Sequence, residues 1–351
     1  MNVKTVIKTY RELKYLRSVI KRYGDSLAPG KYYLFSSMRA MAHDIPETMD
    51  EAKKYFDKKR AKSKLTSLIS KLNNTKYFYN KNKASDGRYG AVYTANNYDK
   101  DREVKLFSFK EKKILTICTS EKVCKKQIDQ YKDLGNAFNM PKVVAGEKYE
   151  NSIEVSMVEL LPRPEEAQAL ENIIASHTAY NPKDRIEKGS IKEIIDVSAY
   201  SGEMRALMGK ISQGIAEDIF SEDIAYSVQH GDLSKDNLIY GNSDGKYDFW
   251  WIDWEHIGKR VFFYDYFFYI LNTAVYFDDL RSFEYYMSEE SNRDLEKFFK
   301  HFSVEFDEER KKDYFLVFCM SFLKERVCQL GNLDALKMYC DFISKLFYKE
   351  S

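Results

Sequence analysis

Val3, Val6, Ile7, Tyr10, Leu13, Leu16, Val19 and Ile20 recur at three- and four-residue steps, the spacing that lines one face of an α-helix. Lys4, Lys8, Arg11, Lys14, Arg17 and Lys21 occupy most of the remaining circumference, and Gly24 closes the pattern, so an amphipathic helix is predicted over 3–22. A second, basic helix is predicted over about 49–72, opened by the cap-like "PETMDE" and carrying "KKYFDKKRAKSK". From about 76 to 119 the period shortens to that of strands, in "KYFYN", "GAVYTAN", "EVKLFSF" and "KKILTICTS", with polar turns between them. Ser120 as N-cap and Gly135 as stop predict a helix over "SEKVCKKQIDQYKDLGN", and "PKVVAGEKYENSIEVSMVELLP" supplies two more strands before a turn at Pro162. Beyond that the pattern is mainly helical, apart from strands around 226–254. The expectation is an α+β chain: a five-strand antiparallel sheet with one helix, a linker near 159–164 and a helical second lobe. The corresponding divisions are 1–75, 76–161 and 162–351, and no internal repeat or low-complexity tract interrupts them.

At 351 residues the chain has enough sequence for two cores at roughly 150 residues per domain. No apolar run approaches the roughly 18 residues of a membrane span, and the N-terminus lacks the apolar centre of a secretory signal, so a cytoplasmic placement is expected. The five cysteines (Cys118, Cys124, Cys319, Cys328, Cys340) show neither CxxC pairing nor metal spacing with histidine and are expected as free, mostly buried thiols. The net charge of +2 conceals an asymmetry: residues 1–83 hold 20 Lys/Arg against 7 Asp/Glu. Two explanations stay open, solvated faces on ordinary helices or peripheral contact of residues 1–72 with an anionic membrane at its inner face. No nucleic-acid partner is expected.

Candidate chemistry concentrates in "VQHGDLSKDN" (228–237) and "FWWIDWEHIG" (249–258), each beside a strand. Phosphoryl transfer needs a carboxylate that orients the attacking hydroxyl and takes its proton, together with oxygen ligands that hold Mg²⁺ on the nucleotide phosphates. Asp232 suits the first role; Asn237 and Asp253 suit the second. The five-residue step from Asp232 to Asn237 lets one loop carry both.

H-G-D-x-x-x-x-N followed by I-D-W-E resembles the catalytic and metal-binding motifs of the aminoglycoside phosphotransferase and choline kinase-like enzymes, small-molecule relatives of protein kinases. The likeness extends to Asp265 in "KRVFFYDYFFYIL", twelve residues after Asp253. It implies a bilobal protein-kinase-like fold over roughly 76–345, with ATP and Mg²⁺ as cofactors. His230 then supports the loop, Asp232 is the base, and Asn237 and Asp253 are metal ligands. Gly231, where protein kinases carry arginine, points toward small-molecule kinases. Lys235 is either a partner for transferred phosphate or a solvent-facing lysine, Glu255 is a further candidate ligand, and Asp265 has a loop-bracing alternative. On the nucleotide side "SDGRYGAVY" resembles a phosphate-covering hairpin through Gly87 and Gly90. The ATP-contacting lysine is Lys105 or Lys113. Its helix partner should be a glutamate, but the helix offers Glu121 early and only Gln127 near its centre. "VSMVELLP" resembles the hinge, where the backbone of Val158, Glu159 and Leu160 would hydrogen-bond adenine.

The resemblance implies an ATP-dependent kinase with a hydroxyl acceptor on a small molecule or saccharide. The basic N-terminal segment favours a sugar of a bacterial surface polysaccharide or lipopolysaccharide, with choline or amino-alcohol kinase and aminoglycoside kinase as alternatives. A catalytically weak pseudokinase that only binds is the reading from another class. Trp250, Trp251, Trp254, Phe262, Phe263, Tyr264, Tyr266 and Phe267 would be core or an acceptor-stacking surface.

Overall fold

The apolar stripe of the first segment has a sheet to pack on, because two strands form where the pattern signalled none. In a computed structural model, which describes residues 3–35, 39–56, 77–94, 102–145, 149–181, 186–216, 218–219, 223–330 and 336–347, helix α1 (Val3–Tyr23) is followed by β1 (Gly30–Leu34), β2 (Ala40–His43) and helix α2 (Pro46–Phe56). Residues 57–72 of the second predicted helix lie outside the described residues. Then come β3 (Tyr77–Asn80), β4 (Ala91–Thr94), β5 (Val104–Ser108), β6 (Lys113–Ile117), α3 (Glu121–Leu134), β7 (Val143–Ala145), β8 (Ser152–Ser156) and the short β9 (Glu159–Leu160). Ser120 caps α3 by accepting from the Val123 N–H, as the sequence predicts.

The α+β class forms as expected, but among the described residues the sheet has eight strands, not five, in the order β3-β1-β2-β4-β5-β6-β8-β7, all antiparallel. "AMAH" in β2 has little intrinsic strand preference. It becomes a strand by pairing with β1 on one edge and β4 on the other. The break expected at residue 75 does not divide the chain: one compact unit takes in Met1–Gly135, Met140–Pro162 and Tyr240–Trp250.

The period of two sorts this sheet into two faces. Val92, Val104, Leu106, Leu115 and Ile117 point to one, where Leu16, Val19, Ile20 and Tyr23 of α1 complete a core with Tyr32, Leu34 and Met41. The other face carries Ala40, Ala42, Ala91 and Phe107 against Met49, Tyr55 and Phe56 of α2, while Ile153 and Val155 meet Cys118 and Cys124 beside α3. Glu12 on α1 closes a largely buried ion pair with Arg102 at 2.6 Å, and Arg102 also lies over the Tyr15 ring.

The second unit comprises Asn136–Asn139, Arg163–Ile239 and Trp251–Ser351. Its helices are α4 (Glu166–Tyr180), α5 (Ile191–Ile195), α6 (Gly202–Gln213), α7 (Tyr264–Phe277), α8 (Arg281–Met287), α9 (Asn292–His301), α10 (Lys311–Leu330) and α11 (Lys337–Phe347). Strands β10 (Glu187–Ser190), β11 (Asp223–Gln229) and β14 (Gly258–Val261) form its small sheet; β12 (Leu238–Ser243) and β13 (Lys246–Trp251), which fall mostly in the first unit's Tyr240–Trp250, join β9 in another. Helix α7 is buried along most of its length, among Phe298, Phe299, Phe315 and Phe318. Cys118, Cys124 and Cys319 are buried free thiols. Among the described residues no helix is long and apolar enough to cross a membrane.

Burial of Leu16, Val19, Ile20 and Tyr23 makes the second half of α1 structural. Leu16→Ala is expected to lower stability by about 2–5 kcal/mol in urea unfolding, the range for an aliphatic side chain removed from a core. Lys14→Ala, on the exposed face, should stay within about 0.5 kcal/mol of wild type.

Candidate active site

β11 and β14 pair in a register that sets Gln229 opposite Gly258. The loop that follows Gln229 and the turn that precedes Gly258 are therefore neighbours, and these are the two segments in which sequence chemistry is concentrated. A second tie comes from the Ile252 N–H, which donates to the Asn237 carbonyl at 3.0 Å.

The loop is held from below by Asp265, in the first turn of α7 and completely buried. One carboxylate oxygen accepts from the His230 N–H and the other from the Gly231 N–H, the latter at 2.8 Å. His177 Nε2 lies 3.0 Å from the first oxygen. Burial alone would push this carboxyl up, but the His177 contact, the neighbouring His230 and the Gly231 N–H together hold it below the ordinary value. Asp265 thus braces the loop.

His230 is itself fully buried and links the two segments. The Asp232 N–H donates to its Nδ1 at 3.3 Å, so Nδ1 is the acceptor and Nε2 carries the proton toward the Ile252 carbonyl at 2.9 Å. Gly231 has φ +82, and a Cβ there would lie 2.5 Å from the guanidinium carbon of Arg260. Arg260 is fixed by Glu325 through bonds of 2.8 and 2.6 Å. Arginine in place of this glycine is excluded by space as well as by backbone conformation.

Asn237 donates its amide to the Asp232 carbonyl at 2.7 Å and lies 3.4 Å from Asp232 Oδ2, which orients the amide so that Oδ1 is the atom it can offer a cation. Asp253 caps a 3-10 turn, Trp254–His256, in the left-handed region at φ 69, a conformation that costs a non-glycine residue on the order of 1 kcal/mol or more and concentrates at functional sites. The Asp232 carboxylate accepts from Arg326 Nη2 at 2.9 Å, and the same guanidinium nitrogen also donates to the Gly231 carbonyl. Burial pushes the Asp232 carboxyl above its ordinary value; Arg326, His230 and His256 oppose that shift and Asp253 adds to it. His256 is pushed up by its contact with Glu255. The sequence reading missed Arg326, which lies near the end of α10 and carries no motif.

Two expected residues are elsewhere engaged. Lys235 Nζ sits between Glu166 at 2.7 Å and Asp279 at 2.8 Å, above the Phe277 ring. It is neither solvent-facing nor aimed at a transferred phosphate, because two carboxylates already neutralise it. Glu255 is exposed and lies 3.3 Å from His256. Trp250, Trp251, Trp254, Phe262, Phe263, Tyr264, Tyr266 and Phe267 are core.

The nucleotide-side candidates belong to the first unit. Between Gly87 and Gly90 each backbone N–H already has a partner: Gly87 bonds Ser85 Oγ, Arg88 bonds Asp86, Tyr89 bonds the Ser26 carbonyl and Gly90 bonds the Phe107 carbonyl. β3 and β4 are not sheet neighbours, so this segment is a crossover, not a hairpin. A phosphate cradle needs N–H groups that are free for the ligand, and these four are each bonded within the chain. Gly90 is small for another reason, since a Cβ would lie 2.8 Å from Thr48 of α2.

The two lysines separate onto opposite faces. Lys113, on the α1 side, lies 3.1 Å from Glu154. Lys105 stands opposite Tyr93 and Thr116, on the face with Phe107, 3.2 Å from Glu103. Gln127 of α3 donates to the other Glu103 oxygen at 3.0 Å. Glu121 is exposed in the first turn of α3. The carboxylate beside Lys105 is thus that of the residue just before β5, and Gln127 of α3 holds it. Glu159 and Leu160 pair with β12, and the Glu159 side chain meets Lys112.

No family model and no curated protein matches the chain. Among solved structures it is similar to an amicoumacin kinase in complex with AMP-PNP, Ca²⁺ and Ami, at 16% identity over 72% of this chain and 87% of that one, with a TM-score of 0.41. It is similar to a thermostable mutant of aminoglycoside phosphotransferase APH(4)-Ia in its apo form, at 13% identity over 74% and 95% of the two chains, with a TM-score of 0.43. It is also similar to a choline/ethanolamine kinase family protein from Mesorhizobium loti, at 14% identity over 73% and 86%, with a TM-score of 0.41.

The brace has a pH signature. A carboxyl depressed in the folded state contributes stability that is complete above its unfolded value near 3.8 and is lost as pH falls through the folded value. In urea titrations between about pH 5 and pH 2, Asp265→Asn should flatten the acid loss of stability relative to wild type. An unchanged slope would show that the acid sensitivity arises at other carboxyls.

Proposed function

We propose that the chain is an ATP-dependent phosphotransferase acting on a hydroxyl of a small molecule. The observation that carries this reading is the Asp232–Asn237 pair on a loop braced by Asp265 and tied through Ile252 to the turn of Asp253. A carboxylate, an amide oxygen and a second carboxylate on these two adjoining segments are the kinds of group that phosphoryl transfer uses.

Among the described residues no three histidine, cysteine or acidic side chains gather as a metal cluster. Mg²⁺ on a nucleotide needs no such cluster, because one or two protein oxygens complete a shell made mainly of water and phosphate oxygens. Asn237 and Asp253 fit that demand and would hold the ion. Bound there, it would neutralise charge on the phosphates. Asp232 orients the acceptor hydroxyl and takes its proton at a carboxylate oxygen. Asn237 fixes the Asp232 backbone, and Arg326 fixes its side chain and keeps it ionised. Lys105, paired with Glu103, is the candidate for the nucleotide phosphates.

The reading of a surface-glycan saccharide as acceptor rests on the basic N-terminal segment, and Lys14, Arg17 and Lys21 lie on the exposed side of α1. Leu16, Val19, Ile20 and Tyr23 are buried in the unit's own core and are not free for a lipid surface. A soluble hydroxyl-bearing metabolite or antibiotic is the acceptor we favour.

Asp232→Asn should bind ATP–Mg²⁺ as wild type does and lower turnover by at least ~10²-fold, the usual loss for a general base; undiminished turnover would remove the assignment. Asp253→Ala should weaken Mg²⁺-dependent ATP binding, read by titration with and without the ion. The base also sets a pH profile. Asp232 acts when deprotonated, so kcat should rise with pH through a value above the ordinary 3.8. Arg326 lowers that value, so Arg326→Leu should move the limb to higher pH, and an unmoved limb would show that Arg326 does not act on the base.

A further inference from the structure

The last turn of α2 presents Tyr55 and Phe56 to the sheet face that also carries Lys105. Tyr55 Oη donates to the Val158 carbonyl at 2.7 Å, and the backbone of Leu160 hydrogen-bonds the same oxygen. Burial pushes the Tyr55 phenol up, and the Leu160 backbone contact opposes that shift, as an N–H donor does. A carbonyl and an N–H two residues apart on one strand edge form an acceptor–donor pair. A hydroxyl can satisfy both through one atom. Adenine satisfies the same pair with its exocyclic amine and the adjacent ring nitrogen.

The surroundings suit a flat ring. Tyr55 lies 6.1 Å from Phe107 and 5.9 Å from Phe109 between ring centroids, while Phe56 meets Phe107 at 5.1 Å and stacks on Tyr93 at 6.1 Å. Ala40, Ala91 and Met157 are buried beneath them. Small side chains below and aromatic rings beside make a slot for a planar heterocycle. Toward its other end α2 is closely packed, with Thr48 against Gly90, and Tyr55 and Phe56 belong to its last turn.

We infer that this slot is the base-binding subsite of the proposed nucleotide site, and that Tyr55 and a purine are alternative occupants of it. The inference rests on the phosphotransferase reading. ATP binds when Tyr55 leaves Val158, so its apparent affinity is reduced by the fraction of molecules in which the slot is open. Nucleotide binding and docking of the last turn of α2 are mutually exclusive.

Calorimetric titration of the full chain with adenosine, inorganic tripolyphosphate and AMP-PNP–Mg²⁺ tests this. Tyr55→Ala should bind adenosine and AMP-PNP at least ~10-fold more tightly than wild type and tripolyphosphate unchanged. Tyr55→Phe, which keeps the ring and loses both hydrogen bonds, should show a smaller gain in the same direction. Equal adenosine affinity in wild type and Tyr55→Ala, with AMP-PNP bound by both, overturns the inference and leaves the phosphotransferase reading standing. A matching gain for tripolyphosphate also overturns it, since the effect would then not lie in the base slot. Failure of every probe to bind either protein overturns both. Should Tyr55→Ala not fold, hydrogen exchange on wild type decides. Saturating AMP-PNP–Mg²⁺ should speed exchange of the amides at the end of α2 and leave α1 protected, and undiminished protection there overturns the inference.

Discussion

A carboxylate with no access to water must have its charge compensated by the protein around it, and Asp265 meets that requirement with the N–H groups of His230 and Gly231 and with His177. The requirement works in both directions. Asp265 is anchored by its place in the first turn of α7, where the helix dipole also favours negative charge. The loop must therefore come to the helix, and the positive φ of Gly231 lets it turn. From that turn follow the placement of Asp232, the reach of Asn237 back to the Asp232 carbonyl and the His230 ring that ties the loop to Ile252.

The first unit repeats the theme with other partners. Glu154, buried in β8, accepts from Tyr89 and lies beside Lys113. Glu12 pairs with Arg102, and Glu103 stands between Lys105 and Gln127. These cations, Arg102, Lys105 and Lys113, lie outside residues 1–83; of the basic excess in that segment, Lys14, Arg17 and Lys21 lie on the exposed side of α1.

The base slot bears on the choice between an active kinase and a binding-only relative. Asp232 and Asn237 share one hydrogen-bonded loop, and Glu103 contacts both Lys105 and Gln127. What restrains the chain is a single phenol on the Val158 backbone, held by hydrogen bonds worth about 1 kcal/mol each net of water and by ring contacts of similar size. Those magnitudes are within what a nucleotide's own binding free energy can overcome.

The sequence by itself determined the elements with strong local signals. Period-two alternation marked β4, β5, β6 and β8, Ser120 and Gly135 bounded α3, and the five-residue step from Asp232 to Asn237 marked one loop with two polar roles. These were legible because each depends on residues near one another in the chain. Only the tertiary structure decided matters that join distant residues. β1 and β2 became strands because β4 and β3 stood on either side to pair with them, and the stripe of α1 turned inward because that sheet offered an apolar face. Lys235 became a structural cation because Glu166 and Asp279, distant in sequence, converge on it. Lys105 was separated from Lys113 by the alternation of two strands, and Arg326 reached Asp232 from 94 residues away. Charge compensation and face matching act through space, so no local pattern in the chain carries them.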